Sequence, residues 1–416
     1  MRGVVLLSCP LRLTRRSGTS HPRLTERAIV KRSLVVPCLL ALLAGCSSDA
    51  DSPNEGKVKP SSSASVGGYG DILVDGKPVT GSKSSGIKKI PYQRTYTDGE
   101  VYAPVTGFRS LAWGTSGLEA IYESSLTYRK GDNVETTIDP KVQKAAFEAL
   151  GERRGAAVAL DAGTGALLAV VSTPSYDPAA FSGNSSKDLE AWKKATGDKN
   201  KPMFNRALHE ATAPGETFDI VIAAAALDHG LYDTVDEPTD GGSGGCANAT
   251  IREALARSCN EIFAKLATDL GEERLRETAK GFGFGDDELN VPIRVAESKY
   301  GSYRNGAITV TPLQLARVTA ALANRGLMVG PHLVTEGEEG QVAQSVPAAT
   351  AGLLLPAVQE KKEWAPTDAD NGTPSSWSLA YAQTQKGDTV ALVVRVATSN
   401  AGAAARVNAA MAEALS

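Results

Sequence analysis

The 416-residue sequence is short of several things, and each shortage excludes a class. Histidine occurs only at His21, His209, His229 and His332, with no H-x-x-x-H spacing, which argues against a helix-borne zinc site. Cysteine occurs five times, at Cys9, Cys38, Cys46, Cys246 and Cys259. The apolar run SLVVPCLLALLA (33–44) is too short to span a bilayer, and a mean hydropathy of −0.17 argues against a polytopic membrane protein. Basic charge is outnumbered in the body of the chain. The first 45 residues hold eight of the 44 Lys and Arg but only one acid, Glu26, so the remainder carries about −10. An acidic body gives no reason to invoke nucleic acid. No internal repeat is present.

What is present begins with an export signal. Lys31 and Arg32 precede the apolar run, which ends in Leu43-Ala44-Gly45-Cys46 and is followed at once by polar SSDADSPNEG. This pattern resembles a bacterial lipobox, so residues 1–45 are expected to be a signal peptide and Cys46 the lipidated first residue. That places the mature protein outside the cytoplasm, anchored to the outer face of the cell membrane. The basic stretch from Met1 to Ile29 is long for a signal n-region, and translation starting near Val30 would account for it; N-terminal mapping of the precursor decides. After processing, Cys246 and Cys259 remain, either as a disulfide closing a short loop or as two buried thiols.

Residues 46–68, rich in Ser, Asp, Gly and Lys, are expected to be a flexible tether. From Tyr69 the texture changes: GDILVDGKPVTGS alternates about Asp75-Gly76, a hairpin signal. The pieces YQRTYTDG and EVYAPVTGF look extended and SGLEAIYESSL helical, so 69–132 is expected to form a small, β-rich pedestal. A second unit, 133–416, opens with a helix capped by Thr137 or Asp139 with Pro140 in its first turn. AAVALDAGTGALLAVVS gives two buried strands about a turn. A polar excursion follows over 174–201. IVIAAAALDHG is nearly apolar all round and should be central; TIREALARSCNEIFAKLATDLG and TPLQLARVTAALANRG predict further helices. Strands WSLAYAQ and TVALVVRV and an Ala-rich helix close the chain. Helices and antiparallel hairpins are segregated, which predicts an α+β fold with an antiparallel sheet.

The blocks TTIDPKVQKAAFEALG, GAAVALDAGTGALLAVVSTPSYDP, NRALHEATAPGETF, REALARSCNEIFAKLA and NGAITVTPLQLA stand in the order found in class B penicillin-binding proteins, the peptidoglycan transpeptidases, and resemble them. The segment from Gly70 to Phe108 is similar to the actinobacterial penicillin-binding protein A branch. Over roughly 69–400 the resemblance implies a serine-acyltransferase/β-lactamase-like transpeptidase domain, an antiparallel sheet flanked by helices, on an N-terminal pedestal. It further implies that the partners are peptidoglycan stem peptides or cell-wall synthesis proteins, with no cofactor. The family's chemistry uses a Ser and, three residues on, a Lys sharing one helix face; a Ser-x-Asn on the facing loop; and a Lys-Thr-Gly on a strand edge that binds the substrate carboxylate.

Here the first element falls on Gly215-Glu216-Thr217-Phe218-Asp219, so Glu216 stands in place of the Ser and Asp219 in place of the Lys. The second survives as Ser258-Cys259-Asn260. The third is missing: the expected region reads KKEWAPTDADNGTPSS, Asn371-Gly372-Thr373 lacks a cation, and Lys386-Gly387 follows the strand instead of preceding it. A carboxylate is a poor nucleophile towards an amide, and its acyl anhydride is a high-energy carrier. The expectation is therefore a pseudoenzyme with no competent catalytic set, acting in binding or scaffolding. The rivals are an active transpeptidase with a rearranged site and a stem-peptide sensor that does not acylate. A glycosidase pair is disfavoured, because two carboxylates on one helix face cannot flank a scissile bond. A divalent cation held by Glu216, Asp219 and oxygens of Ser258 or Asn260 is an alternative. Ser258 as a substitute nucleophile lacks a nearby base in sequence, Lys265 being about two turns on. The structural explanation for the frame is that the apolar helix is core, with acids in its first turn favoured by the helix dipole by about 0.3–1 kcal/mol.

Overall fold

The computed structural model describes residues 68–416, except 128–131, 287–288, 290, 305, 338–339, 362 and 368–373 and the side chains of 365–367. The expected signal peptide, Cys46 and the segment to residue 67 lie outside the described residues. Among those described, no helix is long and apolar enough to cross a membrane.

The N-terminal region turns first at Asp75-Gly76, where φ values of 52° and 68° fit the hairpin turn that joins Ile72–Val74 to Lys77–Pro78. Val134–Thr136 adds in parallel to Ile72–Val74. Thr80–Ile87 and Ile90–Tyr96 form a separate two-stranded hairpin. The expected strand in EVYAPVTGF is instead a helix, Gly99–Thr106. Its Tyr102, Ala103, Val105 and Thr106 are buried, so tertiary packing overrides the β-like composition. Pro104 cannot bond the carbonyl of Glu100, and the Ser175 hydroxyl donates to that oxygen at 2.7 Å. Short helices Gly117–Ile121 and Glu123–Thr127 follow. The pedestal is thus mixed. It is pinned by Glu119, which has no exposed surface and accepts from both Arg94 and Arg109, while the Tyr69 ring lies 5.4 and 4.8 Å from the two guanidinium carbons.

The second region is built on a five-stranded, wholly antiparallel sheet. Its order is Trp364–Thr367, Ser375–Gln383, Thr389–Ala397, Gly155–Asp161 and Leu167–Thr173. Gly155–Asp161 and Thr389–Ala397 are buried along nearly their whole length, which is why both read as mostly apolar runs. Ala157, Ala159, Leu392 and Val394 meet the helices Pro140–Leu150 and Ala403–Leu415. Val158, Leu160, Ala391 and Val393 join a larger core with the helices Asp219–Asp228 and Pro312–Ala323. Asp139 caps the helix Pro140–Leu150, accepting from the amides of Lys141 and Val142. The polar excursion contains one helix, Ser186–Gly197, with no buried residue. The single helix expected over 250–271 is broken at Ser258 into Ile251–Arg257 and a segment starting at Asn260, and the helical run Asn260–Gly281 is itself broken at Gly271 (φ 78°, ψ 163°), where the expected helix ends.

Candidate functional site

The helix Asp219–Asp228 has its residues from Asp219 to Ala226 buried, so the all-apolar stretch is central as its composition predicts. It is entered through a tight turn, Gly215–Phe218, in which Gly215 takes φ 56° and the Thr217 hydroxyl donates to the Pro214 carbonyl at 2.7 Å. This turn directs Glu216 and Asp219 to one side, and the edge strand Trp364–Thr367 packs against it. Glu216 is 9% exposed and Asp219 6%.

Ser258 comes from the break between the two helices. Thr250 and Glu253 make a reciprocal capping box at the start of Ile251–Arg257, and Ser258 ends that helix in the left-handed region at φ 59°. A non-glycine residue there is strained, and such strain gathers at sites held by their surroundings. The holding contacts are near: Cys259, 2% exposed, is joined by a disulfide to Cys246, with Cα atoms 5.8 Å apart. The Ser258 hydroxyl donates to Glu216 Oε2 at 2.8 Å. Asn260 starts the next helix and is exposed.

The residue that sequence reasoning misses is Lys361. It sits just before the edge strand, in the segment where a Lys-Thr-Gly is sought, but Lys362-Glu363 follow it in place of Thr-Gly. Its ammonium donates to Glu216 Oε2 at 3.0 Å and to the Ser258 hydroxyl at 2.9 Å, and lies 4.4 Å from the centre of the Trp364 ring. Its side chain is 4% exposed. Glu216, Ser258 and Lys361 therefore form a closed hydrogen-bonded ring. The signal available in sequence was a lysine directly ahead of a strand next to the site. Asn371-Gly372-Thr373 lies outside the described residues. Lys386 is exposed in the turn after the strand Ser375–Gln383. Lys265 pairs with Asp269 at 2.5 Å and does not reach Ser258.

Asp219 differs in kind from Glu216. No hydrogen bond or ion pair from the described residues reaches its carboxyl. Burial drives its carboxyl well above the ordinary range; Lys361 opposes the shift and the charge of Glu216 adds to it. Tyr303, whose ring stacks on Phe218, is pushed up to about 12 by burial and by Asp219. Among the described residues the cluster thus joins the Glu216–Lys361 ion pair to a second carboxyl, Asp219, whose burial opposes its ionisation. The Lys361 ammonium occupies the position between Glu216 and Ser258 that a divalent cation would take. Among the described residues no group of three His, Cys, Asp or Glu side chains could hold a metal.

Chemically, the ring offers no nucleophile of the kind an amide requires at residue 216. The ring's one hydroxyl, that of Ser258, already gives its proton to the carboxylate and accepts from the ammonium.

Comparison with known proteins places this geometry. Residues 155–364 match the penicillin-binding protein transpeptidase domain, and residues 69–141 the penicillin-binding protein A dimerisation domain. The first match ends at Trp364, on the strand beside Glu216. The peptidoglycan D,D-transpeptidase PbpA of Mycolicibacterium smegmatis is 31% identical over 377 residues, covering 71% of this chain and 77% of that protein. The PbpA of Mycobacterium tuberculosis is 34% identical over 295 residues, covering 58% of this chain and 60% of that protein, less than two thirds of its length. The crystal structure of PBPA from M. tuberculosis superposes with a TM-score of 0.75 at 28% identity, over 83% of this chain and 98% of that one. Its penicillin G acyl-enzyme complex superposes with a TM-score of 0.73 at 27% identity, over 83% and 99%. The chain belongs to the penicillin-binding protein transpeptidase family, in the class B branch of PbpA-type proteins.

Proposed function

We propose that this chain is a non-acylating member of its family, an exported lipoprotein anchored through Cys46 that binds or scaffolds components of peptidoglycan synthesis. The observation that carries this reading is the Glu216–Ser258–Lys361 ring. Relatives solved as penicillin and imipenem acyl-enzymes must present an acylable nucleophile. Here Glu216 stands at the position the resemblance gives to that nucleophile, and its carboxylate neutralises the nearby cation. Asp219, favouring its neutral form, supplies neither the ammonium nor the base expected at its position. The domain layout that follows is signal peptide 1–45, tether 46–68, pedestal 69–132 and transpeptidase-like domain 133–416. The partners by chemistry are peptidoglycan stem peptides or cell-wall synthesis proteins, outside the cytoplasm.

One observation favours a second reading. The Ser258 hydroxyl lies within hydrogen-bond reach of both a carboxylate and an amine, on a strained backbone. In that arrangement Ser258 would be the acylated residue of a rearranged transpeptidase, with Glu216 taking its proton. Incubating the full chain with a fluorescent penicillin, followed by a denaturing gel, separates the two. No band is expected. A stable band overturns the non-acylating reading, and an adduct mapped to Ser258 establishes the second.

A further inference from the structure

The hairpin Thr80–Ile87/Ile90–Tyr96 is a surface that the site and the core leave unused. Its strands ladder only with each other among the described residues, and its base is packed, Gln93 donating to the Ser182 hydroxyl and Arg94 to Glu119, so the part left open is the tip. Its tip is the two-residue turn Lys88-Lys89, closed by Ile87 opposite Ile90. Lys83, Lys88 and Lys89 are exposed, Ile90 is 40% exposed, and no Asp or Glu occurs from Thr80 to Tyr96. The one other charge on the hairpin, Arg94, is buried against Glu119 at its base. In a chain whose body is acidic, this tip combines cationic and apolar side chains with no neighbouring carboxylate on its own strands.

The second observation is where the described chain begins. Tyr69 enters along this same hairpin: its amide donates to the Ser82 hydroxyl at 3.0 Å and its hydroxyl to the Tyr92 carbonyl at 3.1 Å. Strand rise places the tip roughly 20 Å beyond Ser82. Cys46 lies 22 residues before Gly68, a contour of at most about 75 Å, ample to bring the tip to any surface that holds Cys46.

We infer that the Lys83/Lys88/Lys89 hairpin tip docks on an anionic phospholipid surface, with Ile87 and Ile90 entering the headgroup layer, and so sets the pedestal against the membrane. This rests on the Cys46 anchor proposed above. Each lysine near an anionic leaflet contributes about a fivefold gain, so the three together bias docking on the order of a hundredfold. The anchor makes docking intramolecular, so weak contacts suffice.

The test is amide hydrogen exchange of the full protein purified from membranes and reconstituted into vesicles, either neutral phosphatidylcholine or the same lipid with phosphatidylglycerol. Exchange at residues 84–92 is expected to slow about tenfold on the anionic vesicles. Half-molar salt, or the Lys83→Gln/Lys88→Gln/Lys89→Gln variant, should remove that protection. Equal exchange on both vesicle types overturns the inference. So does protection that grows with protein concentration without vesicles, which would make the tip a contact between copies, or protection given equally by soluble polyglutamate, which would point to an acidic protein partner. Intact mass tests the Cys46 lipid separately. If Cys46 carries none, the same exchange is measured with protein added to excess preformed vesicles, and the hairpin stands or falls by itself.

Discussion

Replacing Glu216 by Ala isolates what the ring contributes. The substitution leaves the Lys361 ammonium, 4% exposed, with the Ser258 hydroxyl and the Trp364 ring but without its carboxylate. Removing one partner of a buried ion pair costs about 3–5 kcal/mol, because the remaining charge stays desolvated and uncompensated. Asp219 complicates the measurement. With the negative charge of Glu216 gone, its carboxyl is freer to ionise towards Lys361, which would recover part of the loss. The loss is therefore to be read in an Asp219→Asn background by urea unfolding at pH 7. The companion variants are Lys361→Met and the combination of both changes. Each single change should lower stability by about 3–5 kcal/mol, and the combination by at least ~2 kcal/mol less than their sum. Sodium formate should raise the stability of the Glu216→Ala protein selectively, by returning a carboxylate to the vacated volume. A loss below about 0.5 kcal/mol, or strict additivity, would refute the claim that the two side chains form a desolvated pair.

Three further outcomes follow from the same geometry. The folded value of Asp219 is raised, so its contribution to stability is full below the unfolded value of about 3.9 and is lost as pH rises through the folded value. The stability of the parent relative to Asp219→Asn should thus fall as pH rises above about 3.9 towards the folded value, by up to about 1.4 kcal/mol per unit; a pH-independent difference in urea unfolding would count against the shift. Replacing Cys246 and Cys259 together by Ser should lower stability by about 3 kcal/mol, measured without reductant. Glu216→Gln should convert Lys361 and Ser258 into a site for small carboxylates, so that N-acetyl-D-alanine binds the variant at least about tenfold more tightly than the parent by titration calorimetry, equivalent to about 1.4 kcal/mol.

The fold was largely legible because its core elements carry strong local signals. Strands buried on both faces must be apolar throughout, so GAAVALD and TVALVVRV stand out, and the buried IVIAAAAL needs no partner to be recognised. The helix Gly99–Thr106 was not legible. Its interior proline and β-branched residues point elsewhere, and only the distant Ser175 hydroxyl repairs the carbonyl that Pro104 leaves open. The break at Ser258 was hidden for a similar reason. The helical spacing runs through RSCNE without interruption, whereas the left-handed turn is held by a disulfide and by contacts from 42 and 103 positions away. Glu216 and Asp219 could be identified as a pair, but their different environments could not. Lys361 separates them: among the described residues it donates to the carboxylate of Glu216 and makes no hydrogen bond or ion pair with that of Asp219.

The charge count of the cluster argues that these changes belong together. The arrangement implied by the family resemblance places two lysines around a serine and leaves positive charge for a carboxylate that arrives with the substrate. In this chain the carboxylate is built in: among the described residues Glu216 takes the ammonium of Lys361, and burial opposes ionisation of Asp219, so that ion pair is balanced without a ligand. A single reversal disturbs that balance. Glu216→Ser alone would leave Lys361 beside a hydroxyl, with only Asp219, whose burial opposes ionisation, to balance its charge. Asp219→Lys alone would place a second amine beside the first, with one carboxylate between them, and desolvation would force one to give up its proton. Buried ionic groups are sustained as complete sets, since a partly satisfied set is less stable than an apolar one. Glu216, Asp219 and Lys361 are therefore one electrostatic unit, and its completeness without substrate is the physical reason for reading the cleft as self-occupied.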